Sequence, residues 1–256
     1  YTTSMKKLII ANWKANPESA VKATVLAEKI ESATSIYKNA DIVIAPPFPF
    51  LPLVGDMLSR ARLGSQDVWN TEGPYTGMVS PRQLKSLGVA YVIIGHSERR
   101  IHAGETDDMI QKKLAGALAS GLQAVLCVGE TERQGSELSA MVGEQVRTAL
   151  KSIKKEWLRR LTVVYEPVWA ISTMADTAGA ATPDTAFRAR MYIEKILTSL
   201  FGGRASRDVR IIYGGSVTPA NITSFLTEGA MDGVLVGKAS LDPKKIGEIV
   251  RLAASL

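Results

Sequence analysis

The chain has 256 residues, of which 46% are hydrophobic and 22% are charged; this is the composition of an ordinary globular protein and not of a disordered or collagen-like chain. Its one cysteine, Cys127, excludes an internal disulfide and a zinc site built from cysteines, and it fits a reducing cytoplasm, which is the location we expect. The net charge of +6 is dispersed and no apolar run approaches the roughly 18 residues of a membrane span, so we expect neither a nucleic-acid nor a membrane partner.

The first strand is preceded by Tyr1–Ser4, which stand before Met5, and we interpret these residues as a cloning remnant. Beyond them, short apolar bursts rich in valine and isoleucine alternate with amphipathic stretches. Each burst is continuous, as in strands that are buried on both faces of a parallel sheet. The eight predicted strands are Leu8–Ala11, Ile42–Ala45, Arg62–Gln66, Tyr91–Gly95, Gln123–Val128, Thr162–Tyr165, Val209–Tyr213 and Gly233–Gly237.

The amphipathic stretches between the bursts are predicted helices, and five of them begin with a capping residue followed by proline. These pairs are Asn16-Pro17, Ser80-Pro81, Thr182-Pro183, Thr218-Pro219 and Asp242-Pro243. Eight strand–helix units without a linker predict an α/β fold, a single-domain (β/α)8 barrel over residues 5–256. A doubly wound sheet is the alternative, but no G-x-G-x-x-G motif follows an early strand.

Barrels of this kind carry their active sites at the C-terminal ends of the strands, so the residues after each burst are candidates. Lys14 places a cation there, unless it is a solvated lysine at the rim. His96 follows the fourth strand where a short helix can begin, which disfavours the charged imidazolium; a structural histidine is the alternative. Glu166 ends the sixth strand beside Pro167 and Trp169, where apolar surroundings make a carboxylate a better base; a structural glutamate paired with an arginine is the alternative.

The loops after the last two strands indicate a phosphate site. They contain Gly214-Gly215-Ser216 and Gly237-Lys238, each shortly before a predicted helix. Glycines at such a place let backbone N–H groups converge on a phosphate, and many barrels bind phosphate in these two loops.

Four motifs then occur in order along the chain. They are Asn12-Trp13-Lys14, Gly95-His96-Ser97-Glu98-Arg99-Arg100, Tyr165-Glu166-Pro167-Val168-Trp169-Ala170 and Tyr213-Gly214-Gly215-Ser216-Val217. Together they resemble the triosephosphate isomerase family, from about Lys7 to Leu256. The resemblance implies an aldose–ketose isomerase of glycolysis and gluconeogenesis that interconverts dihydroxyacetone phosphate and glyceraldehyde 3-phosphate through an enediolate. It also implies a cytoplasmic homodimer that uses no metal and no organic cofactor.

The resemblance further implies a role for each matching residue. Glu166 would move a proton between C1 and C2, neutral His96 would shuttle protons between the substrate oxygens, and Lys14 would stabilise the enediolate and the phosphate. Asn12 would help to polarise the substrate, and Glu98 would order the Lys14 side chain. The residues implied to bind the substrate are Asn12, Lys14, Ser172, Ser216, Gly237 and Lys238, the last three through backbone N–H groups.

The chain departs from the family pattern in its lid and in its last loop. The lid between Ala170 and Pro183 is longer than usual and has Ser172 and Met174 where glycines are usual. In the last loop Lys238 replaces a glycine, and it can still donate its backbone N–H if it avoids the φ > 0 region.

A third departure concerns the subunit contact of the family. Ala15, Met78 and Ala103 stand where a cysteine or methionine, a glutamate and a bulky aromatic residue are usual. Because these changes remove a bulky contact and a charge, we expect a homodimer that is weaker than usual.

Two other functions stay open on the sequence. A phosphate-binding barrel aldolase or lyase needs a desolvated lysine deep in the barrel, a role that only Lys14 has the position to fill. A sugar-phosphate binder that has lost turnover is the second alternative, because of the changes in the lid.

Overall fold

The computed structural model describes residues 5–132, 139–170 and 181–256, and within these ranges eight parallel strands form a closed barrel. Each strand pairs with the next one along the chain, and β8 closes the barrel against β1, with Leu8 opposite Gly233. The strands are β1 Lys7–Asn12, β2 Ala40–Ala45, β3 Arg62–Ser65, β4 Tyr91–Ile94, β5 Gln123–Val128, β6 Leu161–Tyr165, β7 Arg210–Tyr213 and β8 Gly233–Val236.

Ten α-helices occur in the described ranges, and their apolar faces pack against the outer side of the strands. Short 3-10 turns follow β6 at Val168–Ala170 and β8 at Lys238–Leu241. The helices are α1 Ala20–Thr34, α2 Leu51–Met57, α3 Pro81–Ser86, α4 Ser97–His102, α5 Asp107–Ala119, α6 Ala140–Leu150, α7 Pro183–Phe201, α8 Gly203–Ser206, α9 Ile222–Thr227 and α10 Pro243–Ala254. None of the helices within the described ranges combines the length and the apolar character needed to cross a bilayer.

The core has two layers, one inside the barrel and one between barrel and helices. In β1, Leu8 and Ile10 belong to the inner layer, whereas Ile9 and Ala11 pack outward with Ile30 of α1. Successive side chains of a strand point to opposite faces, so a strand that is buried on both faces needs apolar residues at every position. This is why the continuous bursts predicted strands correctly, and it confirms the predicted (β/α)8 fold.

Three of the five predicted helix starts are confirmed by side-chain caps. Ser80 accepts a hydrogen bond from the N–H of Gln83, Thr182 caps α7, and Asp242 caps α10. In each case the oxygen satisfies a backbone donor that has no partner within the helix, and the following proline has no N–H to satisfy.

The other two predicted starts are wrong. The first helix begins at Ala20, because the hydroxyl of Ser19 accepts from the N–H of Lys22, whereas the Asn16 amide donates to the carbonyl of Trp13. The helix after β7 begins only at Ile222, because the Asn221 side chain accepts from the N–H of Thr218 and closes a turn before it.

Part of the predicted lid lies outside the described residues. This includes the predicted substrate-binding residue Ser172 and the substitution at Met174. Tyr1–Ser4 also lie outside, so the assignment of residues 5–256 to one catalytic domain stays a prediction.

A cluster of four charged side chains, of which three are buried and Arg99 is partly exposed, ties α4 to α5 and to the loop after β3; we call it the ion cluster (Asp67, Arg99, Glu105 and Lys113). Lys113 Nζ lies 2.7 Å from Asp67 Oδ1 and also pairs with Glu105. Arg99 binds the same two carboxylates, at 2.9 Å from Asp67 and 2.5 Å from Glu105. Burial raises the pKa of Asp67, although Lys113 pulls it down. Each of the three buried charges therefore depends on its partners, because water does not reach it freely.

Lys113→Met tests this dependence, because it keeps the length of the side chain and removes the ammonium. We expect the free energy of unfolding to fall by about 3 kcal/mol, since two buried carboxylates then share one guanidinium. Because the pKa of Asp67 is raised in the native state, at the lower pH the native state binds more protons at Asp67 than the unfolded state does. The loss of free energy of unfolding should therefore be smaller at pH 5.5 than at pH 8. Urea unfolding at one protein concentration measures both quantities.

The matched control is Lys112→Met, since Lys112 is the exposed neighbour of Lys113 on α5. This variant should change the free energy of unfolding by no more than about 0.5 kcal/mol. Equal losses in the two variants would contradict a stabilising role of the ion cluster.

Candidate active site

The residue Glu166 stands directly after β6 and is only 1% exposed. Its Oε2 accepts a hydrogen bond of 3.1 Å from the backbone N–H of Ser97, the first residue of α4. Its Oε1 lies 3.2 Å from Nε2 of His96 and accepts no well-formed hydrogen bond within the described residues. The carboxylate is thus held at one oxygen and is available to accept a proton at the other.

Two glycines make room for this glutamate. A Cβ at Gly129 would lie 1.7 Å from the carbonyl oxygen of Glu166, and one at Gly214 would lie 2.8 Å from its Cγ and 2.6 Å from Val164 Cγ1. Real Cβ atoms do not approach so closely, so the positions beside Glu166 directly after β5 and β7 require glycine because of space.

A buried thiol lies inside the barrel next to the same carboxylate. Cys127 belongs to the inner core layer and is 1% exposed. Burial raises the pKa of the Cys127 thiol well above its usual range, and the neighbouring charge of Glu166 raises it further. The thiol is therefore neutral, and it adds no second negative charge behind the carboxylate.

The ring of His96 is held in one tautomer by the start of α4. His96 is the N-cap residue of this helix, and its Nδ1 accepts a hydrogen bond of 3.2 Å from the backbone N–H of Glu98. A ring nitrogen that accepts a hydrogen bond carries no proton, so the neutral ring carries its proton on Nε2. The residue is 5% exposed, and this N–H faces the side of the ring where Glu166 lies.

The backbone of Lys14 adopts an unusual conformation with φ 53°. Its N–H donates to Oδ1 of Asn12 at 3.0 Å, and its carbonyl accepts from Nε2 of Gln66 at 2.8 Å. The ammonium lies 2.5 Å from Oε1 of Glu98. Non-glycine residues enter the left-handed region only where the surroundings hold them there, and such strain is concentrated at functional sites.

A cavity of about 460 Å³ opens at this end of the barrel, lined by Asn12, Lys14 and His96 on one side. The loops after β7 and β8 line the other side with Ser216 and Gly237-Lys238. None of these three loop residues donates its backbone N–H to an acceptor in the described part of the chain. Lys238 is not among the residues with positive φ, so the loop accepts a lysine at this position. The geometry thus places backbone donors that suit an anion in the same cavity as His96, the neighbour of Glu166.

The segment after β6 is fixed by another carboxylate. Oε1 of the buried Glu130 accepts hydrogen bonds from Tyr165 Oη and Trp169 Nε1, each at 2.8 Å. These contacts hold both sides of Glu166 along the chain, since Tyr165 precedes it and Trp169 follows it. They also anchor the first residues of the predicted lid.

The structure brings the predicted site residues together, except for Ser172, which lies outside the described residues. The sequence patterns do not reveal the contacts made by Gln66, Ser97 and Gly129. A backbone donor such as the N–H of Ser97 has no signature in the sequence, and the other two act through contacts with Lys14 and Glu166 that are remote along the chain. Within the described ranges, no group of three or more His, Cys, Asp and Glu side chains is placed to hold a metal ion.

The closed parallel barrel sets a buried carboxylate, an imidazole and an ammonium beside backbone donors that have no acceptor among the described residues. This arrangement is typical of a barrel enzyme that moves protons on a phosphorylated substrate. Comparison with known proteins identifies the family within this class. The model of the family described as Triosephosphate isomerase matches residues 7–253. The chain therefore belongs to the triosephosphate isomerase family, and it interconverts dihydroxyacetone phosphate and glyceraldehyde 3-phosphate, a step of glycolysis.

Individual relatives agree with the family match. The triosephosphate isomerase of Dictyoglomus thermophilum is 41% identical over 251 residues, which cover 96% of this chain and 99% of that protein. The enzyme of Carboxydothermus hydrogenoformans is also 41% identical, with coverage of 96% and 98%. The enzyme of Syntrophotalea carbinolica is 37% identical over 254 residues, with coverage of 97% and 99%. These matches confirm the resemblance and favour proton transfer over a Schiff base at Lys14.

Gly214→Ala tests the space that Glu166 needs. The added methyl group must displace the carboxylate, because it would lie 2.8 Å from Glu166 Cγ. We expect kcat to fall by about 10- to 100-fold, as for other displacements of about 1 Å at a reacting group. Steady-state kinetics in both directions measures this effect.

The control for that variant is Gly203→Ala at the start of α8. A Cβ there meets only Thr198 Cγ2, at 4.0 Å, so activity should be unchanged. If Gly214→Ala keeps the parent kcat, the packing of Gly214 against Glu166 does not position the carboxylate.

Proposed function

We propose that this chain isomerises triose phosphate with Glu166 as the base, His96 as the proton shuttle between the substrate oxygens, and Lys14 as the cation that stabilises negative charge. The observation that carries the proposal is the pairing of a 1% exposed carboxylate with a histidine whose proton is on Nε2, 3.2 Å away. Asn12 and Glu98 are positioning residues, because they hold the backbone and the ammonium of Lys14.

The first step removes a carbon-bound proton from dihydroxyacetone phosphate. Glu166 takes the proton from C1, the electrons of the broken C–H bond form the C1=C2 double bond, and the carbonyl electrons move to O2. The Nε2–H of His96 donates a hydrogen bond to the oxygen on which charge develops, and the Lys14 ammonium attracts the same charge. A donor that is already in place costs no reorganisation when charge develops, and this is the main source of such stabilisation.

The second step returns the proton to the neighbouring carbon. The hydroxyl proton on O1 moves to O2 by way of His96, and Glu166 gives its proton to C2. The C1–O1 carbonyl of glyceraldehyde 3-phosphate then forms, and both side chains end in the state in which they began. A neutral imidazole suits this exchange because it gives and takes a proton at the same nitrogen.

The carboxylate has to move before it can reach the substrate. Glu166 borders a small cavity of about 40 Å³, whereas His96 lines the large one. The hydrogen bond from Ser97 holds Oε2 on the side of α4, so substrate binding must replace this bond with the contact to the substrate carbon. We propose that the Ser97 N–H stores the base in a resting position between turnovers.

The phosphate group is held by the backbone N–H groups of Ser216, Gly237 and Lys238, which we call the phosphate grip. Their position on the loops after β7 and β8 supports this proposal, as does the absence of acceptors for them in the described part of the chain. A contribution from Ser172 is proposed with them on the basis of the family motif alone. The enzyme needs no cofactor in this scheme, because every proton that leaves a substrate atom is returned to one.

We propose that two copies associate through the exposed apolar side chains of Tyr75, Met78 and Ile101, which lie in or near the loops after β3 and β4. They are 42%, 48% and 43% exposed in the single chain. Ala15 and Ala103 are also exposed and present little apolar area of their own, which supports a weaker contact than in the family pattern. The cytoplasm is the proposed location, in keeping with a step of glycolysis and a single buried cysteine.

Glu166→Asp tests the base. The variant keeps the charge and retracts the carboxylate by one methylene, so kcat should fall by at least about 100-fold because the near-attack geometry is lost. Glu248→Asp on the exposed face of α10 is the control and should retain the parent kcat. Parent activity in Glu166→Asp would refute the assignment of the base.

Dilution tests the proposed dimer. Sedimentation velocity should show a dimer at high micromolar concentration that dissociates on dilution to nanomolar concentration. Met78→Lys should raise the dissociation constant by at least about tenfold, because the contact would then bury an unpaired charge. The control is Met191→Lys, whose methionine on α7 is equally exposed, at 49% against 48% for Met78.

Two outcomes would contradict this prediction. A monomer at high micromolar concentration would refute the association, and a parent dimer that persists at low nanomolar concentration would refute its weakness. Equal effects of the two lysine variants would place the contact on another face.

A further inference from the structure

The large cavity extends beyond the phosphate grip toward the N-terminus of α10. Its lining contains three lysines, Lys14, Lys238 and Lys245, and no acidic side chain of the described residues. Lys14 lies beside the proton-transfer pair, whereas Lys238 and Lys245 belong to the loop after β8 and to the first turn of α10. Two of the three lysines that line the cavity thus belong to elements other than those that carry Glu166 and His96.

The inner lysine and the two outer lysines differ in how their charges are balanced. The Lys14 ammonium is 2.5 Å from Glu98, and both side chains are partly buried. Lys238 is exposed and makes no ion pair with any described residue. Lys245 approaches Asp242 only to 3.9 Å, and these side chains are 61% and 45% exposed. A pair so long and so exposed is worth little, so the two outer ammonium groups remain effective cations.

Asp242 is the acid that lies within 3.9 Å of Lys245, and its other carboxylate oxygen is already engaged. Its Oδ1 accepts from the backbone N–H groups of Lys244 and Lys245, at 3.0 and 3.4 Å, and thereby caps α10. This capping role orients the carboxylate toward the helix backbone, and Asp242 is not part of the cavity lining. An anion in the cavity thus borders both lysines, whereas Asp242 does not line it.

We propose that Lys238 and Lys245 form a second anion subsite, which takes the outer phosphate of a small ligand that carries two linked phosphate groups. The inference rests on the proposed phosphate grip, which would hold the first phosphate group. Triose phosphate has only one phosphate and leaves the outer lysines unused, whereas a diphosphate engages both places at once. Because the two phosphate groups are covalently linked, the contact of the outer phosphate with the lysines is intramolecular once the first phosphate is bound. This contact therefore adds affinity without a second loss of translational freedom. Compounds of this class therefore compete with the substrate and inhibit the isomerase.

The test compares inorganic phosphate with inorganic pyrophosphate at constant ionic strength. Competitive inhibition constants from the isomerase assay are measured together with calorimetric binding to the unliganded protein. In the parent, pyrophosphate should bind at least about fivefold more tightly than phosphate, a size typical of exposed charge contacts. In Lys245→Gln this preference should be mostly lost, while the constant for phosphate stays within about twofold of the parent value.

Lys244→Gln is the matched control. It removes the same charge from the neighbouring position of α10, but Lys244 does not line the cavity. It should leave the preference for pyrophosphate intact. Lys238→Gln keeps the backbone N–H and loses the ammonium, so it should weaken pyrophosphate binding more than phosphate binding.

Three results would overturn the inference, and they can be told apart. Equal binding of phosphate and pyrophosphate by the parent would refute the second subsite and leave the phosphate grip standing. Equal losses in the variants at Lys244 and Lys245 would mean that the preference reflects net charge and not a site. A parent enzyme that binds no inorganic phosphate in competition with the substrate would refute the phosphate grip itself, and the second subsite with it.

Discussion

A carboxylate that is 1% exposed at the end of β6 is the constraint on which the mouth of the barrel depends. Burying such a charge without partners is costly, and one hydrogen bond from the N–H of Ser97 meets part of that cost. The donor is correctly placed only if α4 is, and Arg99 of the same helix is locked into the ion cluster through Asp67 and Glu105. The position of the Glu166 carboxylate thus depends in part on the charged side chains of the ion cluster.

The contacts of Glu166, His96 and Lys14 depend on one another because all three involve the short helix α4 or its N-cap. His96 caps the helix and takes its tautomer from the N–H of Glu98, and the Glu98 side chain holds the ammonium of Lys14. Ser97 holds Glu166, and Arg99 anchors the whole turn. A rigid shift of this helix would displace the contacts of Glu166, His96 and Lys14 together. This arrangement keeps their mutual geometry more constant than separate loops would.

Much of this fold could be predicted, because a strand that is buried on both faces must be apolar at every position. All eight strands were predicted to within about two residues at each end, the usual uncertainty of such boundaries. The helix starts were less certain, as α1 and α9 show. A capping residue followed by proline marks the start of a helix only if no later side chain accepts from the backbone N–H groups nearby. Ser19 accepts from the N–H of Lys22, and Asn221 accepts from the N–H of Thr218, so both helices begin later than predicted.

The sequence by itself determined the order of strands and helices, the rim at which the site lies, and the residue types placed there, because all of these follow from local patterns and from motifs along the chain. Only the tertiary structure decided that Lys14 has a left-handed backbone, that position 129 has no room for a side chain, and that the N–H of Ser97 binds Glu166. Gln66 is 52 positions from Lys14, and Ser97 is 69 positions from Glu166. Contacts between such distant residues arise from the closure of the barrel, which brings the ends of all eight strands to one rim and leaves no trace in any local pattern.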